Sequence, residues 1–258
     1  MKIAVCMKQV PDSEARIAID PSGAAIQTAD LGMVINPYDE YAIEEALRIR
    51  EAQGGEVIVV SVGPESAQAE IRKALAMGAD KGVIVQEASY LGGDGLSIAR
   101  ILAETVRSLQ PDLVLCGKLS IDVESDLVGI ALAEYLGWPH VALATRIEWE
   151  GKEARVHREI EGGAEVVALS LPAVITAEKG LNEPRYASLK GIMAAKKKPI
   201  DIVQPQVAPE QRGPAAAKVS VVAMAPPPAR TGGRKFTGEI EEIVPQVVEL
   251  LRVEAKVL

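Results

Sequence analysis

Apolar positions along the chain change period from segment to segment, and the changes divide it into elements. Lys2 to Lys8 (KIAVCMK) is a short β-rich run that places Ile3, Val5 and Met7 on one side, the two-residue alternation of a strand. Asn36-Pro37 then opens a helix, because Asn is a good N-cap and Pro suits the first helical position. Behind it Ala42, Ile43, Ala46, Leu47 and Ile49 recur at helical spacing, and Gly54-Gly55 stops the helix. Glu56 to Val62 (EVIVVSV) is a nearly continuous apolar strand, as expected where a parallel sheet is covered on both faces. Gly63-Pro64 turns the chain into a helix over about Ser66 to Met77, and Gly82 to Gln86 (GVIVQ) is the next strand. Gly92-Gly93-Asp94-Gly95 precedes a helix carrying Ile98, Ile101, Leu102 and Val106; Asp112 to Cys116 (DLVLC) is a strand, and a helix follows over about Leu127 to Leu136.

This strand–helix alternation predicts an α/β fold with a doubly wound, mostly parallel sheet and right-handed crossovers. After it the rhythm changes. Ala142 to Glu150, Ala154 to Ile160 and Ala164 to Leu171 alternate around turns at Glu150-Gly151-Lys152 and Glu161-Gly162-Gly163, which predicts a β-meander at the end of the sheet. Ala173 to Ala177 (AVITA) reads as one more core strand. Past Pro199, Pro205, Pro209, Pro214 and Pro226-Pro227-Pro228 break regular structure. The expected division is therefore 1–200 as the α/β domain and 201–258 as an extended C-terminal arm. That arm carries a short strand near Val219 to Ala223 and a final amphipathic helix over about Glu239 to Leu251. An arm of this kind suggests a partner chain to wrap around.

Composition narrows the function. Lys and Arg number 28 against 36 Asp and Glu, a net charge of −8, which argues against nucleic acid as the main partner. Aromatic residues make up 3% of the chain, too few for base stacking. Hydrophobic residues make up 48% with mean hydropathy of +0.13, enough for a core. No apolar run reaches the ~20 residues that span a bilayer, and the N-terminal stretch lacks the features of a signal peptide. Cys6 and Cys116 each sit inside an apolar run without metal-site spacing, so a cytoplasmic protein is expected. His140 and His157 fall in alternating segments and read as structural.

In an open α/β sheet, ligands bind at the carboxyl ends of the strands. The segments that converge there are Cys6 to Lys8, the helix start Asn36-Pro37-Tyr38-Asp39, the Val62-Gly63-Pro64 turn, and Gly117-Lys118-Leu119-Ser120-Ile121-Asp122-Val123-Glu124-Ser125-Asp126-Leu127-Val128. The last is long for a βα loop, and long loops in compact domains are often functional. Free N–H groups at helix starts suit phosphate. Neither GxGxxG after the first strand nor GxxxxGK[ST] is present, and Gly92-Gly93-Asp94-Gly95 reads as a turn and helix cap. No nucleophile with an adjacent base stands out. The chain offers binding surface rather than bond-making machinery.

Two later stretches are more specific. Val156-His157-Arg158-Glu159-Ile160-Glu161-Gly162-Gly163-Ala164-Glu165-Val166-Val167, continued through Pro172-Ala173-Val174-Ile175-Thr176, resembles the signature of the electron-transfer flavoprotein beta subunit, with every fixed position filled. Leu181-Asn182-Glu183-Pro184-Arg185-Tyr186-Ala187-Ser188-Leu189-Lys190-Gly191-Ile192-Met193, running on through Lys196 to Lys198, resembles that family's recognition loop (about 177–198). Ala74 to Asp80, Asn36-Pro37 and Pro227-Pro228-Ala229-Arg230-Thr231 extend the likeness.

The resemblance implies a Rossmann-like, adenine-nucleotide-binding domain in a heterodimer with an alpha subunit. A redox-active FAD would sit mostly in the alpha subunit and an AMP in beta. Electrons would arrive from acyl-CoA or related dehydrogenases and leave toward a quinone oxidoreductase. By motif, the nucleotide would contact Cys6, Asn36 to Asp39, Val62 and Gly117 to Val128, the segments the topology had already nominated. Arg185, Tyr186, Leu189, Ile192 and Met193 would dock the dehydrogenase, with Leu189 as anchor, and Glu159 would contact the mobile FAD domain. One departure bears on the nucleotide: many relatives carry Asn-Gln-Thr-Gly where this chain has Asp126-Leu127-Val128-Gly129. An amide and a hydroxyl are lost and an acid is gained, while backbone donors at 125–128 remain. From residues alone, Leu189, Ile192 and Met193 form one apolar helical face, open to docking or to packing on the chain itself. The alternatives are a bifurcating carrier with a second FAD in the beta site, a free-standing adenine-nucleotide sensor, and a nucleotide hydrolase.

Overall fold

The computed structural model describes residues 1–87, 93–151, 153–229 and 232–258. Gly92, Lys152 and Arg230-Thr231, which the sequence reading used, lie outside the described residues. The chain divides into two units, Met1–Met224 and Ala225–Leu258.

The first unit is built on a nine-stranded sheet. Its strands are β1 (Lys2–Cys6), β4 (Glu56–Gly63), β5 (Lys81–Gln86), β6 (Leu113–Gly117), β7 (His140–Glu150), β8 (Glu153–Ile160), β9 (Gly163–Ser170), β10 (Ala173–Ala177) and β11 (Ile200–Val203). Their order is β11-β5-β4-β1-β6-β10-β7-β8-β9. Pairing is parallel from β11 to β7, and β8 and β9 turn back antiparallel. A separate antiparallel pair, β2 (Gln9–Pro11) with β3 (Met33–Ile35), sits between β1 and the first helix in the chain. The doubly wound α/β expectation and the terminal meander are both observed.

Two apolar layers explain the order. Ile3, Val5, Val57 and Val59 face one side and pack with α1 (Pro37–Gln53) and α2 (Gln68–Met77) through Ile43, Leu47, Ile71 and Leu75. Ala4, Ile58, Val60 and Val114 face the other and pack with α3 (Gly95–Leu109) and α4 (Leu127–Leu136) through Ile101, Val106 and Leu132. The interiors of the central strands are thus almost wholly apolar because both faces are covered. The predicted face of α1, from Ala42 to Ile49, is buried throughout. Crossovers leave β1 toward β4 on one side and β6 lies on the other. The reversal of strand order therefore falls between β1 and β6, where an open α/β sheet holds its ligand.

Past β10 the chain forms α5 (Leu189–Ala195), then adds β11 to the open edge of β5, where Gly82 N–H donates to Pro199 C=O. The expected arm therefore begins as an edge strand: a four-residue segment carries too little pattern to be seen, and its partner lies far back in the sequence. Residues 201–224 belong to the first unit, whereas the composition placed the boundary at 200. Val219 to Ala223 forms no strand; Val219, Val221 and Val222 are exposed. A short helix, α6 (Gly213–Ala216), precedes them, and the second unit contains α7 (Ile240–Val253). Among the described residues no helix is long and apolar enough to cross a membrane.

Candidate functional site

The end of β1, the start of α1 and the loop after β6 meet at the reversal point through a small set of directional bonds. Asp39, buried in the first turn of α1, accepts from Lys8 N–H at 2.7 Å and from Gly117 N–H at 3.0 Å. One carboxylate thus joins the first strand, the first helix and the fourth parallel strand. Burial pushes its carboxyl up from 3.8 to about 7 against those hydrogen bonds. Asn36 stands at the N-cap position as expected, but its side chain does not cap the helix. Its amide donates to Leu119 C=O at 2.8 Å and accepts from Ile121 N–H at 3.2 Å, so it holds the loop instead.

Lys8 completes the brace. Its ammonium donates to Ser120 Oγ at 3.2 Å and pairs with Asp122 at 2.7 Å. The repulsion a phosphate would meet from Asp122 is neutralised by this pair, while Glu124 and Asp126 are exposed. Lys8 follows the first strand directly; only the three-dimensional arrangement shows what it does. Lys118 pairs with Glu178 at 2.6 Å, which pulls its ammonium pKa up, and lies 4.9 Å from the Tyr38 ring centre. Ser120 and Ser125 bridge across the loop. Cys6 and Cys116 are free, buried and register-paired across β1 and β6.

Leu127 and Val128 start α4, and no side chain caps that helix. Its first N–H groups open at the carboxyl end of β6, a site suited to an anion. Leu127 reaches over the start of α3, where a Cβ on Gly95 would meet its Cδ2 at 3.3 Å. Val62 is the penultimate residue of β4, the neighbour of β1. The end of β1, the start of α1 and the loop after β6 therefore lie together, with β4 beside β1. The Asn36 and Asp39 side chains belong to the scaffold of the loop.

The second candidate surface lies on the α1 and α2 side of the sheet. Tyr186 is 98% exposed, Leu189 83%, Met193 71% and Ile192 45%. The apolar helical face expected there is open rather than packed on the chain. Arg185 differs from its neighbours: its guanidinium is taken up within the chain by Glu44 and Glu51 of α1. Glu159 is exposed on β8, opposite Ala164. His140 is exposed at the start of β7, and His157 Nε2 lies 3.6 Å from the Glu148 carboxylate.

The fold and this site define an α/β protein with a doubly wound, mostly parallel sheet, an uncapped helix start near the strand-order reversal and an exposed apolar helical face. Comparison with known proteins gives the family. The electron transfer flavoprotein domain model matches residues 24–208. The electron transfer flavoprotein subunit beta of Bacillus subtilis (strain 168) is 39% identical over 259 residues, covering 100% of both chains. The human subunit of the same name is 40% identical over 258 residues, covering 98% of this chain and 99% of its own. That of Syntrophomonas wolfei is 40% identical over 258 residues, covering 100% and 98%. The chain belongs to the electron transfer flavoprotein beta-subunit family.

Proposed function

We propose that this chain is the beta half of a heterodimeric electron carrier that works without making or breaking substrate bonds itself. An alpha subunit would supply the FAD through which electrons pass. Acyl-CoA-type dehydrogenases would be the donors and a quinone oxidoreductase the acceptor, in the cytoplasm. Beta would contribute a structural AMP site and the surface that docks the dehydrogenase. The observation that carries this reading is the uncapped start of α4 at the strand-order reversal, in a chain that also leaves Leu189, Ile192 and Met193 exposed. An AMP phosphate fits that helix start because main-chain donors supply the contacts, and Asp122 is already paired with Lys8. Gly117 to Val128, Cys6 and Val62 would line the remainder, with Asn36 and Asp39 fixing the loop from beneath.

A second reading stays open for the same crevice. Asp126-Leu127-Val128 stands where the family carries an amide and a hydroxyl, so side chains there do not fix the nucleotide's identity, and a second FAD is the alternative to AMP. Acid precipitation of the purified heterodimer, with chromatography of the released nucleotides, separates the two. One FAD and one AMP per heterodimer is the expected result. Two FAD would replace the AMP reading with bifurcation, and no nucleotide beyond the alpha FAD would remove the beta site altogether.

A further inference from the structure

The docking segment is held in place by parts of the chain that do not themselves face outward. A helix of seven residues, α5, is too short to persist alone in water. Tyr186, Leu189 and Met193 bury almost nothing, so they contribute little to its order. The order comes from its two ends.

At the leading end, Asn182 donates to Tyr41 C=O and to Glu45, both at 3.0 Å. Arg185 then lies between two carboxylates one heptad apart on α1. It donates to Glu44 through Nε at 2.7 Å and Nη2 at 3.0 Å, and to Glu51 through Nη1 at 2.5 Å and Nη2 at 3.0 Å. Its own N–H donates to Glu44 at 3.2 Å. Burial alone would raise the Glu44 carboxyl, but hydrogen bonds from Arg185 and Arg48 outweigh it and hold it below its usual range. A forked pair on each side fixes the direction of the segment as well as its position.

At the trailing end, α2 and the turn after α5 brace each other. Arg72 of α2 donates to the C=O of Ala195, the last residue of α5, at 2.6 Å and to the C=O of Lys198, three residues beyond it, at 2.7 Å. Lys198 returns the favour to α2, donating to the carbonyls of Leu75 at 3.0 Å, Gly78 at 3.1 Å and Ala79 at 2.5 Å. Two cations thus tie the C-terminal turn of α2 to the turn that follows α5 through main-chain carbonyls. Between the latches Ser188 caps the start of α5 through Gly191 N–H at 3.0 Å, and a Cβ on Gly191 would meet Ala76 C=O at 2.3 Å.

We propose that Arg185, Arg72 and Lys198 are positioning residues for docking: they present the Leu189 face as a preformed knob without touching the partner. This rests on the docking role proposed above. A knob held rigid before contact avoids the ordering cost of a mobile loop. Arg185, which the family resemblance placed among the docking contacts, acts through Leu189. Lys198, at the end of a basic run, faces the carbonyls of α2 rather than a partner.

The test uses the flavin-loaded heterodimer with an acyl-CoA dehydrogenase and its substrate as electron source. Arg185→Ala, Arg185→Lys, Arg72→Met and Leu189→Ala are compared by steady-state kinetics and by amide hydrogen exchange. Arg185→Ala and Arg72→Met should raise the KM for the heterodimer about five- to tenfold and leave kcat within about twofold. Amides of 186–195 should exchange at least about tenfold faster, with the central strands unchanged. Arg185→Lys, which keeps the charge but loses the fork, should recover only part of the KM. Glu51→Gln, at the exposed end of the clamp, is the milder variant if Arg185→Ala lowers the unfolding temperature, and it should shift KM in the same direction. If Leu189→Ala raises KM while the latch variants do not, the positioning role is wrong and docking stands. If Leu189→Ala leaves KM unchanged, the docking reading fails and the positioning role fails with it.

Discussion

At the scale of a single residue, Asp39 sets burial against hydrogen bonding. Its carboxylate accepts two main-chain N–H groups from Lys8 and Gly117, yet burial holds its pKa at about 7, against 3.8 for the free group. The folded chain therefore keeps a proton there that the unfolded chain has already released. The resulting stability is fully present below the unfolded value and is lost as pH rises through the folded one. Over that window folding should weaken by up to about 1.4 kcal/mol per pH unit from this group alone. Denaturant midpoints of the wild-type chain and Asp39→Asn, measured from about pH 4.5 to 8, isolate the effect because the amide does not titrate. Their difference should fall with pH and level off above about 7. A flat difference would mean that the two N–H groups keep Asp39 ionised throughout. None of this was legible in the sequence, where Asp39 is a favourable acid in a helix's first turn. Its partners stand at positions 8 and 117, and only the strand order brings them within reach of it.

At the scale of elements, the long periodic segments were legible and the short ones were not. α1 and β4 were clear because each has enough residues to display a period. β2 and β3, at three residues each, display none, and β11 exists because β5 leaves an open edge. The site loop shows the same limit. Its length announced it, but the brace of Lys8, Asn36 and Asp39 beneath it came from other elements. That brace makes Gly117 a test of how tightly β6 and α1 approach. A Cβ there would lie 2.4 Å from Asp39 Oδ1 and 2.7 Å from the Tyr38 carbonyl carbon. Gly117→Ala should therefore cost about 1–3 kcal/mol in chemical denaturation and lower the nucleotide retained by the heterodimer. Gly32→Ala, whose added Cβ meets nothing within 4 Å, should do neither. Equal behaviour of the two variants would show that the loop shifts freely and that the brace does not shape the crevice.

At the scale of the molecule, the composition break at Pro199 and the break in packing fall at different places. The apolar layers extend to Val207. Arg212 pairs with Glu87 at 3.0 Å, and Lys218 N–H donates to the Asp94 carboxylate at 2.6 Å, which also caps α3. Proline-rich composition marks where regular structure stops, not where packing stops, so residues 201–224 fold with the first unit. The second unit has a different character. α7 carries Ile240, Val244, Leu251 and Val253 exposed, and none of its residues is buried. An amphipathic helix whose apolar stripe is uncovered is suited to a partner's surface, which in the proposed heterodimer is the alpha subunit. Both apolar core clusters lie within Met1–Met224, so a chain ending at Met224 should unfold within about 2 °C of the full chain. The same truncation should abolish co-elution with the alpha subunit in size-exclusion chromatography. Normal co-elution would assign assembly to the first unit and leave α7 without that role. A large fall in unfolding temperature would instead make residues 225–258 part of this chain's own stability, the docked tail that a proline-rich terminus also permits.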